Sequence, residues 1–252
     1  MQEILAHLTA QDRVLDLGCA RGSFPAEHTA ACVVRADLAP QALSGAVACD
    51  ARALPFVAQS FAAAILNHSL EHFEQPDRVL AEIGRVVRAD GYLYVSVPDA
   101  STVTDRIYRW LGRGGGHVNP FVDSEALAAR IARQTGLEHR ATRVLHSGLS
   151  FLNRHNITGP APRKLMLLGG GREGVIRAGL RLFRALDRRF GTRLSVYGWA
   201  FWFGPPIGVD PEPRPNVCVR CGSGHAAADL AVAGRVSGRT YVCFCGAEND
   251  LA

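Results

Sequence analysis

VLDLGCARGSF, residues 14–24, is the stretch whose reading decides the fold. An apolar run carries Asp16 near its end, and Gly18 and Gly22 follow. The backbone can therefore turn sharply after a strand and approach a ligand without a Cβ in the way. A glycine loop of this kind serves many nucleotide ligands and is weakly diagnostic alone. Two further acids sharpen it. Asp37 closes the next apolar run, in VVRADLAP, and Asp50 closes the one after, in AVACDARALPF. A carboxylate at 37 can accept from both hydroxyls of a ribose, and one at 50 can accept from an adenine amino group. Three such positions at the carboxyl ends of successive strands are where an open α/β sheet binds ligands.

Outward from this segment, short apolar runs alternate with helical patterns, the signature of a parallel sheet with crossover helices. Strands are expected at 14–17, 32–37, 45–50, 61–67 and 92–97, with helices fitting between them. The clearest helix is 77–87, where Val79, Leu80, Ile83, Val86 and Val87 recur at helical spacing before Asp90-Gly91. Another is expected at 124–135, with Ser124 as its cap and Gly136 as its stop. Residues 137–145 read as a sixth strand and 193–203 as a seventh, separated by about 47 residues that a hairpin does not need. The expected organisation is one domain over 1–203 with a helical basic insertion at about 147–193. A proline-rich linker over 204–216 and a cysteine-bearing tail over 217–252 follow. Prolines 205, 206, 211, 213 and 215 make that linker stiff.

The motifs together resemble the class I S-adenosylmethionine (SAM)-dependent methyltransferases, and within them the broad type 11 group. The resemblance covers residues 13–145 and the presumed last strand. It implies a Rossmann-like seven-stranded methyltransferase sheet. The first motif, with Asp16, Gly18, Cys19 and Gly22, is similar to that family's glycine motif. Asp37 and Leu38 are similar to its ribose motif, and Asp50-Ala51 to its adenine motif. LNHSLEHF, residues 66–73, is similar to the family's fourth-strand signature, which implies that Asn67 to Ser69 line the methionine end of the cofactor. Ala20 stands where a third glycine is common. The rival, a dinucleotide-binding Rossmann domain, needs a G-x-G-x-x-G spacing that Cys-Ala-Arg between Gly18 and Gly22 breaks.

A sulfonium methyl is already electrophilic, so the protein mainly has to place a nucleophile and exclude water. A general base helps oxygen acceptors, and the candidates are His68, His72 and His117, the last in a glycine-rich loop beyond the fifth strand. No Asn/Asp-Pro-Pro-Tyr motif follows the fourth strand, which disfavours nucleobase and glutamine amides. No Pro-Cys pair stands there to attack a pyrimidine ring. Small-molecule or lipid-linked acceptors, through oxygen, amine, carboxylate or carbon, remain. RNA methylation and a non-catalytic SAM-fold binding module are the alternative readings.

Residues 151–193 carry ten basic and two acidic side chains in a chain of net charge +5. Within them, 174–190 has an apolar stripe and a line of arginines at 177, 181, 184 and 188, the pattern of a basic amphipathic helix. It is expected to cover the acceptor side, because only a dozen residues precede the first strand. It is also expected to favour an anionic acceptor, and it leaves open a peripheral membrane contact or RNA. In the tail, Cys218-Val-Arg-Cys221-Gly and Cys243-Phe-Cys245-Gly resemble a zinc ribbon, which implies one structural zinc on Cys218, Cys221, Cys243 and Cys245. The C-x-C of the second pair departs from the usual spacing, and His225 is a substitute ligand. Composition is that of a globular chain, 48% apolar and 20% charged, with no apolar run long enough to span a membrane and no secretory signal pattern. A cytoplasmic setting is expected.

Overall fold

The computed structural model describes residues 1–20, 22–40, 45–102, 105–106, 117–146, 173–207 and 216–251, with backbone only at 173–177. Most of the expected linker, the first part of the insertion and the glycine run 114–116 lie outside these residues.

Seven strands form one sheet: β1 (Arg13–Leu17), β2 (Cys32–Asp37), β3 (Val47–Ala48), β4 (Phe61–Asn67), β5 (Val87–Pro98), β6 (His139–His146) and β7 (Val196–Phe203). Their spatial order is β3-β2-β1-β4-β5-β7-β6. The pairings from β3 through to β5 are parallel, whereas β7 runs antiparallel to both β5 and β6. The order reverses beside β1, so the carboxyl ends of β1, β2 and β4 frame the crevice in which such sheets bind ligands.

Alternation along the strands splits the interior into two cores. Leu93, Val95, Val97, Trp199, Phe201 and Phe203 face one side. There they meet α2 (Pro76–Val86) through Val79, Leu80 and Ile83, and α3 (Ser124–Thr135) through Leu127, Ala128 and Ile131. Each such apolar side chain removed from water contributes about 1.5–3 kcal/mol. Gly84 lets the two helices close, since a Cβ there would stand 2.7 Å from the Thr135 carbonyl oxygen. The N-cap of α3 is Asp123, not Ser124. The Asp123 carboxylate accepts from the Glu125 and Ala126 N–H groups, the span a cap needs, while Ser124 is already helical. Gly136, at φ 74°, ends that helix as expected.

The second face departs from the expected layout. Between β1 and β2 the described residues form only a 3₁₀ turn, Ala26–His28, after Pro25, and no crossover helix. Residues 22–31 lack a helical apolar stripe; Phe24 alone among their large side chains is buried in the core. That face is covered instead by α1 (Gln2–His7), through Ile4 and Leu5, and by the cysteine tail. All four tail cysteines, with Val219, Leu230, Tyr241 and Ala247, share one core with Tyr92, Tyr94, Ala200 and Trp202 of the sheet. The tail consists of β8 (Asn216–Val217), β9 (Gly224–His225), α5 (Ala227–Val232), β10 (Val236–Ser237), β11 (Thr240–Val242) and β12 (Glu248–Asp250). Arg143 of β6 fastens the layers together: its guanidinium donates to Glu3 of α1 and to the Gly222 carbonyl, and lies 4.6 Å from the Trp202 ring centroid.

Gly222 gives the docking a test. Its φ is +67°, and a Cβ would stand 2.8 Å from both Ala200 Cβ and the Trp202 ring. Gly222→Ala is expected to cost about 2–4 kcal/mol, the sum of a left-handed alanine and an overpacked contact. Gly246→Ala, at φ +84° in open space, keeps only the first penalty, about 1 kcal/mol. Urea midpoints of the two variants compare them directly. Equal shifts would show that the tail does not sit against the sheet.

The helix carrying the arginine line is α4 (Glu173–Phe190). Its last turn is tied to the start of β7 by Asp187, whose carboxylate accepts from Thr192 Oγ1, the Leu194 and Ser195 N–H groups and Ser195 Oγ. Arg184 is largely buried, with the Asp250 carbonyl 3.5 Å from its Nη1 and Tyr241 nearby. Burial lowers its pKa. It packs on the tail, not on a solvated face, while Arg188 is exposed.

Candidate active site

The glycine loop leaves β1 through three left-handed residues, Gly18 (φ 66°), Ala20 (φ 45°) and Gly22 (φ 96°). An alanine in that region is strained, and a hydrogen bond holds it: the Ala20 N–H donates to Asp37 Oδ2 at 2.9 Å. Asp37 Oδ1 accepts from the Ala39 N–H at 3.1 Å, so the carboxylate is fixed at the mouth of the loop with lone pairs to spare. Asp16 is fully buried and its Oδ2 accepts from the Ser23 N–H, which closes the far end of the loop. Burial raises its pKa, opposed by the Ser23 bond and by Arg35 at 3.9 Å. Leu38, beside Asp37, is 77% exposed. An apolar side chain held out in this way offers a flat surface to a ring.

The fourth-strand signature abuts the loop. A Cβ on Gly18 would stand 2.6 Å from Ser69 Cβ, so only glycine fits against that residue. Ser69 Oγ donates to the Leu17 carbonyl at 3.0 Å, tying the end of β4 to the end of β1. Asn67 Oδ1 accepts from Ser96 Oγ at 2.8 Å. Cys19 is buried beside Asp16 and Asp37; burial, then those charges, push its thiol up to about 11, so it stays protonated at neutral pH.

Asp50 lies beyond Asp37, joined through the Cys49 N–H to the Asp37 carbonyl. Its carboxylate is gripped by Arg52, with the side-chain nitrogens at 2.7–3.0 Å, and the hydrogen bonds from Arg52 depress its pKa. Arg52 was not foreseen from sequence, although a cation two residues after an acid is a detectable signal. Ala51 is buried in the core under α2 and α3.

The three histidines divide. His68 has a left-handed backbone (φ 54°) and is half-buried, with both ring nitrogens enclosed and the ring 5.4 Å edge-on from Tyr197. Burial lowers its pKa to about 4, and its neighbours include Val219 and Arg220 of the tail. His72 and His117 meet instead, with ring centroids 4.9 Å apart. His117 Nδ1 is 3.3 Å from Asp105 Oδ1, and His72 Nε2 is 3.9 Å from Glu71 Oε1. Glu71 is buried in the 3₁₀ turn Leu70–His72 that follows β4, where its carbonyl accepts from the Val118 and Asn119 N–H groups. Burial, with Asp105 adding to it, pushes its carboxyl up to about 8. Glu71 and Asp105 escaped the sequence reading because an acid flanked by Leu70 and His72 gives no sign that it turns inward.

In the tail, Cys218 Sγ lies 3.6 Å from Cys245 Sγ and Cys221 Sγ 3.6 Å from Cys243 Sγ. All four sulfurs fall within 4.8 Å of one another, and none is in a disulfide. A tetrahedral ion with metal–sulfur bonds of about 2.3 Å needs sulfurs roughly 3.8 Å apart. The thiol set therefore fits a structural zinc despite the C-x-C spacing. His225 Nε2 sits 3.1 Å from Cys243 Sγ, against the cluster and not in place of a cysteine, and Asn249 Nδ2 reaches Cys218 Sγ at 3.5 Å.

The order of strands, the antiparallel β7 and the glycine loop opposed to an acid on β2 define the class. Residues 15–95 match the family model described as a methyltransferase domain. The chain therefore carries a methyltransferase domain over these residues, and the relatives found support a SAM-dependent methyltransferase of class I. It is similar to the malonyl-[acyl-carrier protein] O-methyltransferase of Laribacter hongkongensis (strain HLHK9), with 26% identity over 237 residues, 79% of this chain and 78% of that protein. Its fold is similar to that of a SAM-dependent methyltransferase from Archaeoglobus fulgidus, with TM-score 0.53 and 16% identity over 80% of this chain and 88% of the other. It is also similar to that of geranyl diphosphate C-methyltransferase from Streptomyces coelicolor A3(2), with TM-score 0.53 and 14% identity over 80% and 76%. Among the described residues no helix is long and apolar enough to cross a membrane.

Proposed function

We propose that this methyltransferase acts on a small-molecule acceptor, free or linked to a lipid or carrier, and that its tail holds one structural zinc. The observation that carries the choice is the docking of the tail. Its knuckles are buried against Tyr94, Ala200 and Trp202, whereas an RNA-binding ribbon would present that surface. The relative from Laribacter, named for a malonyl group on an acyl-carrier protein, supports the same class of acceptor.

SAM, when bound, supplies a methyl group on a positively charged sulfur. This chain's part is to bind, orient and keep water away. Asp37 takes the ribose hydroxyls, Leu38 lies against the adenine, and Gly18 and Gly22 let the backbone approach closely. Asp50 takes the adenine amino group once Arg52 yields one carboxylate oxygen. Asn67 and Ser69 shape the methionine end, and half-buried His68 joins that end of β4 to the tail. Glu71, His72, Asp105 and His117 form the polar wall on the acceptor side. Cys218, Cys221, Cys243 and Cys245 hold the zinc, which keeps the tail folded under the sheet.

Incubation with labelled SAM tests the reading against a panel of malonyl thioesters, phenols, amines and total RNA. S-adenosylhomocysteine and a labelled product are expected with a member of the small-molecule set. Label transferred only to RNA would reverse the assignment.

A further inference from the structure

Outside the tail, one cluster of metal-ligating side chains stands out. One ligand atom each of Glu71, His72 and His117 lies within 4.8 Å of the others. Two imidazoles and a carboxylate are the donor set that suits divalent transition metals, and three protein ligands leave positions open to oxygen donors. The cluster also has a supporting layer. His117 Nδ1 lies 3.3 Å from Asp105 Oδ1, so a carboxylate stands behind that ring. A carboxylate behind a ligating histidine in this way fixes the tautomer and raises ligand basicity. Glu71 is held from behind as well, its carbonyl accepting from two backbone N–H groups of the loop that carries His117. Its side-chain Oε2 is buried with no hydrogen-bond partner among the described residues, an acceptor that a cation would satisfy. His72 is the exposed member, at 42% of its side chain, and opens the cluster to solvent.

We propose that Glu71, His72 and His117 bind a divalent transition-metal ion at the carboxyl end of β4, with Asp105 orienting His117. The site is separate from the four-cysteine cluster in place and in chemistry, and it stands whichever acceptor the enzyme uses. Binding the ion requires only that the three ligand atoms draw together from their present separations to those of bonds of about 2.0–2.2 Å.

Mn²⁺ is the discriminating probe, because hard and borderline ions take imidazole and carboxylate and leave thiolate sets to zinc. The full chain, purified with its tail metal in place, is titrated with Mn²⁺ while paramagnetic resonance reads the free ion. SAM affinity is measured on the same samples. One bound Mn²⁺ per chain is expected. His72→Ala, which changes an exposed residue, should weaken it at least tenfold with SAM affinity unchanged. Asp105→Asn should weaken it by about 10–100-fold, as loss of an outer-shell partner does. No saturable Mn²⁺ in the wild type, together with total zinc that stays at one per chain after dialysis against Zn²⁺, overturns the site. So does Mn²⁺ bound equally well by His72→Ala. Loss of SAM binding with Mn²⁺ retained would count against the cofactor assignment and leave the metal site standing.

Discussion

Cys243→Ser should lower the melting temperature of the sheet, not of the tail alone, by about 10–20 °C. Cys243 is fully buried, 3.6 Å from Cys221, in the same core as Tyr94 and Trp202. Structural zinc contributes about 10–16 kcal/mol to folding in small zinc peptides, so with the proposed zinc on these four cysteines the loss of one ligand forfeits a sizeable part of a large term. Taking about 5 kcal/mol for that loss, and roughly 2–4 °C per kcal/mol for a chain of this size, gives the stated range. Tryptophan fluorescence separates the two possibilities. Trp199 and Trp202 lie in β7 and the tail contains no tryptophan. A cooperative transition that moves down in the variant, and equally in chelator-treated wild type, is the expected result. An unchanged tryptophan transition would make the tail an independent appendage.

Asp37→Ala should weaken SAM binding by about 10–150-fold, the equivalent of 1.5–3 kcal/mol for hydrogen bonds to a charged group. The loss has two sources. The ribose bonds go, and so does the acceptor that holds the Ala20 N–H at 2.9 Å, leaving a left-handed alanine in the glycine loop without its anchor. The effect should therefore lie towards the upper end. Asp37→Asn keeps one acceptor oxygen and should fall between the wild type and Asp37→Ala. Titration calorimetry of SAM against the three proteins reads the order. Wild-type affinity in Asp37→Ala would remove Asp37 from the cofactor site.

Much of the site was legible because its signals are local. Gly18 and Gly22 mark a turn that only residues free of a Cβ can make, and Asp16 and Asp37 follow at the ends of apolar runs. The chain could not show that these acids also serve as fasteners. Asp16 closes the loop at Ser23, and Asp37 holds Ala20, because both bonds depend on where the end of β2 falls beside the loop. Arg184 shows the same limit from the other direction. Its place on an arginine line at helical spacing points to a surface for an anionic acceptor, but the tail packs over that turn and buries it against Tyr241 and Asp250.

The sequence by itself determined the strand pattern, α2 and α3, the glycine loop with its acids, and the four cysteines as one chemical set. Hydrophobic period, turn residues and short motifs are properties of neighbouring positions and need no long-range partner. Only the tertiary structure decided that α1 and the tail cover one sheet face, and that Glu71, His72, Asp105 and His117 meet. Residues 71 and 117 are far apart in the chain and are joined by backbone hydrogen bonds between two loops. The fit of Gly222 against Trp202 and Tyr94 depends on the shape of two strands, one of them more than a hundred residues earlier in the chain. No local pattern encodes contacts of that kind; packing of the whole chain selects them.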